Sequence, residues 1–361
     1  MRKIWRSAIQ DVVPYSAGKP LDVLAAEAGL GSLVRLSANE HPVGPSPRVI
    51  RAIAREARRV HLYPDGGATN LRAALAERLG VASEQIILGN GADELLALLA
   101  WAAFEPGDEV VIPHPSFEPY TTVVVIAGAV ARLSPLAGYD TDLDDMQRQA
   151  TDRTKAVILC APHNPAGTII RRQPLLGFLR ALGPEPPLVV LDEAYRDFCD
   201  DPDSPDGVAL LATHPTLIVM RTFSKIAGLA GARVGYAVAG AEIIEQLNRV
   251  RAPYNVNRLG QAAALAALED ARYWQSTRHL VIEERAFLSR ELSRRGHTFP
   301  PSQANFLLVK FGPDADAVRE RLFRAGILVR DGAALGFPGH LRISVGTREA
   351  NERLLAALAG R

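Results

Sequence analysis

The chain has 361 residues, of which 48% are hydrophobic and 22% charged, with a formal net charge of +1. This length allows one large domain and a smaller one. A net charge this close to zero gives no electrostatic case for binding nucleic acid or an anionic membrane. The two cysteines, Cys160 and Cys199, form no spaced framework, so we expect a cytoplasmic protein without a metal site. No apolar run reaches the length of a membrane span or of a signal-peptide core.

Apolar runs and breaks set by glycine and proline divide the chain into predicted elements. Helices are predicted, in chain order, at 21–28, 47–59, 70–79, 95–104, before residue 131, from about 242, and at 259–268, 274–295, 315–325 and 348–358. Strands are predicted at 85–88, 109–112, a segment ending near 133, 154–160, 187–191, 217–220, 234–238, 306–310, 327–330 and 341–345.

Buried apolar strands that alternate with helices predict an α/β fold with a mainly parallel sheet. The last three strands and two helices form a separate small α/β unit. We therefore predict a large domain over residues 40–245. The N-terminal arm, residues 1–39, and the C-terminal part, residues 246–361, make up the predicted small domain.

Polar or aromatic side chains follow several strands of the predicted large sheet, at the point where each strand ends. Because ligands gather at the carboxyl ends of parallel strands, these residues indicate one shared site. They are Asn90, Phe117, Asn164, Asp192 with Tyr195, and Lys225.

The stretch that follows strand 217–220 delivers a lysine into a setting of small and apolar residues. Thr222 and Ser224 precede Lys225, and Arg233 follows it by eight positions. An apolar setting lowers a lysine pKa and favours a neutral amine that can form a Schiff base. The hydroxyls and the arginine would suit a phosphate. By itself, the stretch fits a solvated lysine at a strand exit equally well.

A glycine turn links strand 85–88 to the next helix through Gly89 and Gly91, ahead of Ala92 and Asp93. A strand followed by a glycine turn and a helix start directs free backbone N–H groups at an anion. Tight turns of this kind also occur without a ligand, so the turn gains meaning only beside the other strand ends.

The motifs together resemble those of fold-type I pyridoxal-phosphate aminotransferases, and within them the histidinol-phosphate aminotransferase subgroup. The likeness runs through nearly all of the chain. The segments that carry it are 222–225 with Arg233, 192–195, 164–167, 39–45, 63–65, 89–94 and 341–346.

The resemblance implies pyridoxal 5'-phosphate as the cofactor and a homodimer with a shared active site. Lys225 would carry the cofactor and move protons, with Asp192 on the pyridine nitrogen and Tyr195 on the phenolic oxygen. The other cofactor-binding residues that it implies are Ala92, Asp93, Phe117, Asn164, Thr222, Ser224, Arg233 and, from the other subunit, Tyr63.

The resemblance also implies a substrate site that accepts a small amino donor and a keto acid. Arg342 resembles the family arginine that pairs with a carboxylate, a task that suits a bidentate guanidinium. Arg330 and Tyr15 would share a substrate phosphate with it, and Asn39 is placed in the same site. His41 stands where the subgroup usually has asparagine, so it bears on which substrate is accepted.

The expected activity is transfer of an amino group between L-histidinol phosphate and 2-oxoglutarate. The alternatives are an aminotransferase for aromatic or other amino acids, and a pyridoxal-phosphate decarboxylase, because fold does not fix the reaction. A third alternative is a non-catalytic binding domain. The combination of Lys225, Asp192, Asn164, Tyr195 and Arg233 argues against it, because a binding module does not need an electron sink.

Overall fold

The computed structural model describes residues 4–10, 12–14 and 19–360. Within these ranges the strands are β1 Val34–Leu36, β2 Ile86–Gly89, β3 Glu109–His114, β4 Val130–Pro135, β5 Thr154–Cys160, β6 Leu188–Asp192, β7 Leu217–Thr222, β8 Gly235–Val238, β9 Phe306–Lys310, β10 Ile327–Asp331 and β11 His340–Ser344.

The helices are α1 Leu21–Glu27, α2 Pro47–Ala57, α3 Thr69–Leu79, α4 Ala92–Ala103, α5 Pro119–Ala127, α6 Leu143–Gln149, α7 Arg172–Ala181, α8 Gly207–Leu210, α9 Ala241–Val250, α10 Arg258–Leu268, α11 Ala271–Arg294, α12 Ala315–Arg324 and α13 Arg348–Leu358. None of them is long and apolar enough to cross a bilayer. The sequence pattern predicts most of these elements but misses β1, α6, α7 and α8.

The large sheet has seven strands in the order β2-β8-β7-β6-β5-β3-β4. Strands β4, β3, β5, β6 and β7 run parallel, whereas β8 is antiparallel to both β7 and β2. Parallel neighbours need a crossover, but the segment 223–234 turns the chain straight back beside β7. The sheet is thus mainly parallel, as predicted.

The central parallel strands β3, β5, β6 and β7 are mostly apolar because helices cover both faces of the sheet. Val110 and Ile112 pack with α4 and α5 on one face, while Val111 packs with α6 and α7 on the other. All three side chains are fully buried. Burial of such a side chain contributes roughly 1.5–3 kcal/mol, so this alternation holds the strand ends firmly in place.

The second sheet has four strands in the order β1-β10-β11-β9. β1 joins it by parallel pairing with β10, so residues 34–36 belong to the same layer as the C-terminal strands. α10 lies beyond residue 245 but packs against α2 and α3. The division of the chain at residue 245 stays a prediction.

Local sequence signals explain where several helices begin. Ser46 accepts a hydrogen bond from the backbone N–H of Val49, and Pro47 occupies the first helical position of α2. Thr347 caps α13 in the same way, through the N–H of Ala350. Helix α4 differs, because Gly91 precedes it at a φ of 82° and offers no capping side chain. The first backbone N–H groups of α4 are therefore left without a hydrogen bond from a capping side chain.

Candidate active site

The carboxyl ends of β5, β6 and β7 meet the N-terminus of α4 around a cavity of about 270 Å³. The register places Cys160, Asp192 and Met220 side by side at this edge of the sheet. The predicted cofactor-binding residues other than Tyr63 line the cavity: Ala92, Asp93, Phe117, Asn164, Asp192, Tyr195, Thr222, Ser224, Lys225 and Arg233.

Lys225 points its amine into this cavity. Its Nζ donates to the backbone oxygen of Ala38 at 3.4 Å. Burial lowers the pKa of Lys225 to about 8, and the positive charge of Arg342 contributes in the same direction. A lysine with such a pKa has a larger neutral fraction near pH 7 than an ordinary lysine, and the neutral amine is the nucleophilic form.

Asp192 is a buried carboxylate with two neutral hydrogen-bond partners. Its Oδ2 accepts from Tyr120 Oη at 2.6 Å, and its Oδ1 accepts from the backbone N–H of Ala194 at 2.9 Å. Burial raises the pKa of Asp192 to about 6, while both hydrogen bonds oppose that shift. The ionised form of a carboxyl group in such surroundings is stabilised by any cation that enters the cavity.

Tyr195 and Asn164 are each held by one neighbour and keep donors for a ligand. Asn39 Nδ2 donates to Tyr195 Oη at 3.1 Å, so the tyrosine O–H proton is still available. Arg342 Nη1 donates to Asn164 Oδ1 at 2.7 Å, which leaves the amide N–H groups of Asn164. Burial raises the pKa of Tyr195 to about 12, with the charge of Arg342 acting against it.

Arg342 is itself buried and only partly satisfied. Its Nη2 donates to the backbone oxygen of Ser37 at 3.0 Å, whereas its Nε has no hydrogen-bond partner among the described residues. Burial lowers the pKa of Arg342 to about 10. Because an unpaired N–H is costly to bury, this guanidinium has capacity for an anionic group.

The opposite end of the cavity is built around the start of α4. Arg233 Nη2 donates to Asp93 Oδ2 at 2.9 Å. A Cβ added to Gly91 would lie 2.5 Å from that guanidinium, and one added to Gly235 would lie 2.7 Å from the backbone nitrogen of Ala92. Only glycine fits at these two positions, and the free N–H groups of the helix start are suited to an anion.

A family comparison agrees with this arrangement. The sequence model of the family described as aminotransferase class I and II matches residues 32–358. The chain belongs to this family. The resemblance inferred from the motifs is therefore confirmed, and so is the predicted α/β fold class.

Individual relatives of this aminotransferase family match the chain almost end to end. The histidinol-phosphate aminotransferase of Moorella thermoacetica is 42% identical over 354 residues, which are 98% of this chain and 92% of that protein. That of an Anaeromyxobacter species is 43% identical over 352 residues, 97% and 96% of the two chains. The structure of histidinol-phosphate aminotransferase from Sinorhizobium meliloti in complex with pyridoxal-5'-phosphate has a TM-score of 0.90 at 31% identity, covering 99% and 97%.

Among the predicted substrate residues, His41 is not brought to the Lys225 cavity. It lines a separate cavity of about 290 Å³ with Arg35 and Arg353. Its Nδ1 accepts from the N–H of Val43, so its Nε2 carries the proton that it shares with Thr277 Oγ1 at 3.1 Å. Burial lowers the pKa of His41 to about 4, which keeps the ring neutral near pH 7.

The remaining predicted residues lie at the edge of the cavity or beyond it. Tyr63 is 78% exposed and stacks on Tyr254 with 4.7 Å between ring centroids. Arg330 is exposed, and its backbone lies directly opposite that of Arg342 in the antiparallel strand pair β10–β11. Asn39 is buried and hydrogen-bonded to Tyr195. Tyr15 lies outside the described residues.

Tyr120, Cys160 and Glu40 line the cavity but were missed by sequence reasoning. Tyr120 lies in the first turn of α5, whereas Phe117 precedes that helix. No local signal in the sequence marks Tyr120, because Asp192, which it contacts, lies 72 positions away. Among the described residues, no group of His, Cys, Asp or Glu side chains forms a metal site.

Proposed function

We propose that the chain is a pyridoxal-phosphate-dependent aminotransferase that exchanges the amino group between L-histidinol phosphate and 2-oxoglutarate or glutamate. The observation that carries the proposal is a lysine and a buried carboxylate that face one cavity with opposite pKa shifts. The pKa of Lys225 is lowered to about 8, and that of Asp192 is raised to about 6, both mainly by burial. Relatives that match nearly the whole chain carry the name of this activity.

When bound, pyridoxal phosphate supplies an aldehyde that an amine captures and a ring that accepts electrons when its nitrogen is protonated. The residues present fit each part of this group. Asp192 lacks a cationic partner in its own hydrogen bonds and suits a protonated ring nitrogen. Phe117 offers a ring for stacking. The start of α4, with Thr222, Ser224 and Arg233, suits the phosphate.

Lys225 is the residue assigned to capture the cofactor and then to move a proton at the substrate Cα. With its pKa lowered from 10.5 to about 8, roughly a tenth of the amine is neutral at pH 7. An ordinary lysine would have well under about one part in a thousand in that form. The burial of Lys225 therefore supports its role both as nucleophile and as general base.

Tyr195 and Asn164 are assigned to the phenolic oxygen of the cofactor. The O–H proton of Tyr195 is available because its oxygen accepts from Asn39. The amide N–H groups of Asn164 are available because its oxygen accepts from Arg342. Both donors line the cavity and would favour a negatively charged oxygen.

Arg342 and Arg330 are assigned to the anionic groups of the substrates. The buried guanidinium of Arg342 has an unpartnered Nε, which supports pairing with a carboxylate or phosphate. Arg330 lies opposite it in the register and adds a second positive charge at the solvent side. The assignments of Tyr15, Asn39 and His41 to the substrate site stay predictions.

The proposal includes a cytoplasmic homodimer in which Tyr63 reaches the cofactor phosphate of the other subunit. Its side chain is 78% exposed and does not line the Lys225 cavity of its own chain. Stacking on Tyr254 holds it at the surface. An exposed, stacked aromatic pair of this kind supports a contact with a second copy.

The deciding experiment is a substrate panel on the cofactor-loaded enzyme with glutamate as amino donor. We expect the highest kcat/KM for imidazole-acetol phosphate, the keto form of histidinol phosphate. Faster turnover of phenylpyruvate or another keto acid would move the assignment to an aromatic or general aminotransferase. Release of carbon dioxide from an amino-acid substrate would indicate a decarboxylase.

The control in the same panel is Lys225→Ala. The purified wild type should be yellow, and borohydride should fix the cofactor covalently on Lys225. The variant should show neither property and should lose turnover by about a thousandfold or more, because nucleophile and proton carrier are removed together. Retained turnover in Lys225→Ala would contradict the role given to this lysine.

A further inference from the structure

Tyr120 is a buried tyrosine aimed at the carboxylate of Asp192. It occupies the first turn of α5 and is 0% exposed. Its Oη lies 2.6 Å from Asp192 Oδ2. Its ring packs edge-to-face against Phe117, with 5.4 Å between centroids and 81° between planes. The packing therefore fixes the ring and leaves its hydroxyl directed at the carboxylate.

The proton of this hydrogen bond belongs to Tyr120. A phenol is a much weaker acid than a carboxyl group, and burial together with the charge of Asp192 raises the pKa of Tyr120 further. Tyr120 thus donates, and an ionised carboxylate is the better acceptor. A short O–H···O⁻ bond is stronger than a neutral one, so the contact favours the charged form of Asp192.

Other groups around Asp192 act in both directions. The titratable side chains that face it from the surrounding elements are Asp93 of α4, Tyr120 of α5, Cys160 of β5, Glu193 and Tyr195 after β6, and Lys225 after β7.

Burial, Asp93 and Glu193 disfavour a charge on Asp192. The opposing groups are the hydroxyl of Tyr120 and the backbone N–H of Ala194. Only proline at position 194 would remove the backbone N–H, and it would also restrict the backbone, so Tyr120 is the donor that a conservative side-chain change can test.

We propose that Tyr120 is a positioning residue that holds Asp192 ionised and oriented, so that a proton shared with the cofactor ring nitrogen stays on that nitrogen. The inference rests on the proposed function for its consequence in catalysis. The effect of Tyr120 on Asp192, by contrast, is a property of the chain alone. It can be measured in protein that holds no cofactor.

The first test compares the wild type with Tyr120→Phe as cofactor-free proteins, by thermal unfolding from pH 4 to 8. The folded pKa of Asp192, about 6, lies above its ordinary value of 3.8. The folded state therefore binds the proton more tightly, and Asp192 removes stability as pH rises through this window. Without the hydroxyl, the folded pKa rises by about one to two pH units. The difference in Tm between the two proteins should therefore widen towards pH 8.

The matched control is Tyr236→Phe. Tyr236 is another buried tyrosine, but it belongs to β8 of the large sheet and lies outside the cavity lining. Its Tm difference from the wild type should stay constant from pH 4 to 8. A constant difference for Tyr120→Phe as well would show that Tyr120 only fills space, and would overturn the inference.

The second test uses the cofactor-loaded enzyme and its pH profile. In Tyr120→Phe, the acidic limb of kcat/KM should move up by about one to two pH units. Incorporation of 3-fluorotyrosine at position 120, a stronger donor of nearly the same size, should move it down. An unmoved limb in both proteins would contradict the inference even if Tyr120→Phe folds poorly. If the loaded protein has no aminotransferase activity, the proposed function fails, while the cofactor-free measurement still decides the role of Tyr120.

Discussion

The two ends of the Lys225 cavity carry their charges in different ways. At one end, Asp192 is 4% exposed and accepts a hydrogen bond from the fully buried Tyr120. At the other, Arg233 and Asp93 form an ion pair whose side chains are 42% and 54% exposed. Both ends offer polar groups to one ligand, but only the first excludes water from its charge.

This difference indicates which property each end controls. Buried charges interact strongly and shift pKa values, whereas exposed pairs are screened and contribute about 0–1 kcal/mol. The Asp192 end is thus suited to setting where a proton resides. The Arg233 end is suited to holding an anion through rigid N–H groups, with charges that add modestly to affinity.

The largest effect should come from Asp192→Asn. An amide cannot balance a protonated ring nitrogen, so kcat/KM should fall by about 10²- to 10³-fold, as for loss of one preorganised group in a buried site. The matched control is Asp206→Asn. The carboxylate of Asp206 accepts a hydrogen bond from Arg221 and lies outside the cavity lining. The control should retain activity within about threefold even if its Tm falls. If Asp192→Asn kept as much activity as Asp206→Asn, the Asp192 end of the cavity would not control protonation as inferred.

An intermediate effect is expected from Arg233→Gln. Loss of one charged donor should raise the Kd for pyridoxal phosphate by about tenfold, while the acidic limb of kcat/KM stays where it is. The control Arg249→Gln removes an exposed arginine of α9 that pairs with Glu245. Equilibrium dialysis at two salt concentrations measures the Kd. A shifted acidic limb in Arg233→Gln would mean that this end also governs protonation.

The smallest effect is expected from Asp93→Asn. Its carboxylate accepts from Arg233, so it would compete with a bound phosphate for that guanidinium and adds a negative charge beside the helix start. Removing that charge should tighten cofactor binding by about two- to fivefold, with the gain reduced in high salt. A weaker Kd would show instead that the Asp93 carboxylate positions Arg233 for the ligand.

Much of the fold could be predicted because most strands of the large sheet are local apolar runs. β5, for example, is predicted and observed at the same residues, 154–160. β1 could not be found in this way, because its three residues gain strand structure only by pairing with β10, almost 300 positions later. The antiparallel direction of β8 likewise depends on the turn at 223–234 rather than on the strand itself.

Most residues that line the Lys225 cavity were predictable because they lie beside strand ends, whereas neighbours of those residues were not. Tyr120 belongs to a helix and reaches Asp192 across 72 positions. Asn39, predicted to meet the substrate, donates to Tyr195 across 156 positions. His41 follows Asn39 by two residues, yet its ring turns to Thr277 of α11. Contacts between residues so far apart in the chain are decided by tertiary packing, which the local sequence pattern does not specify.

The sequence by itself determined the family, the α/β class and the lysine, carboxylate and arginines of the site. These follow from short motifs, in which the chemistry and the local backbone are encoded within a few residues. Tertiary structure decided how far those groups are desolvated, because the lysine segment by itself fits a solvated side chain equally well. Desolvation by distant elements lowers the pKa of Lys225 and raises that of Asp192. Because desolvation depends on everything that packs around a group, no local segment specifies it.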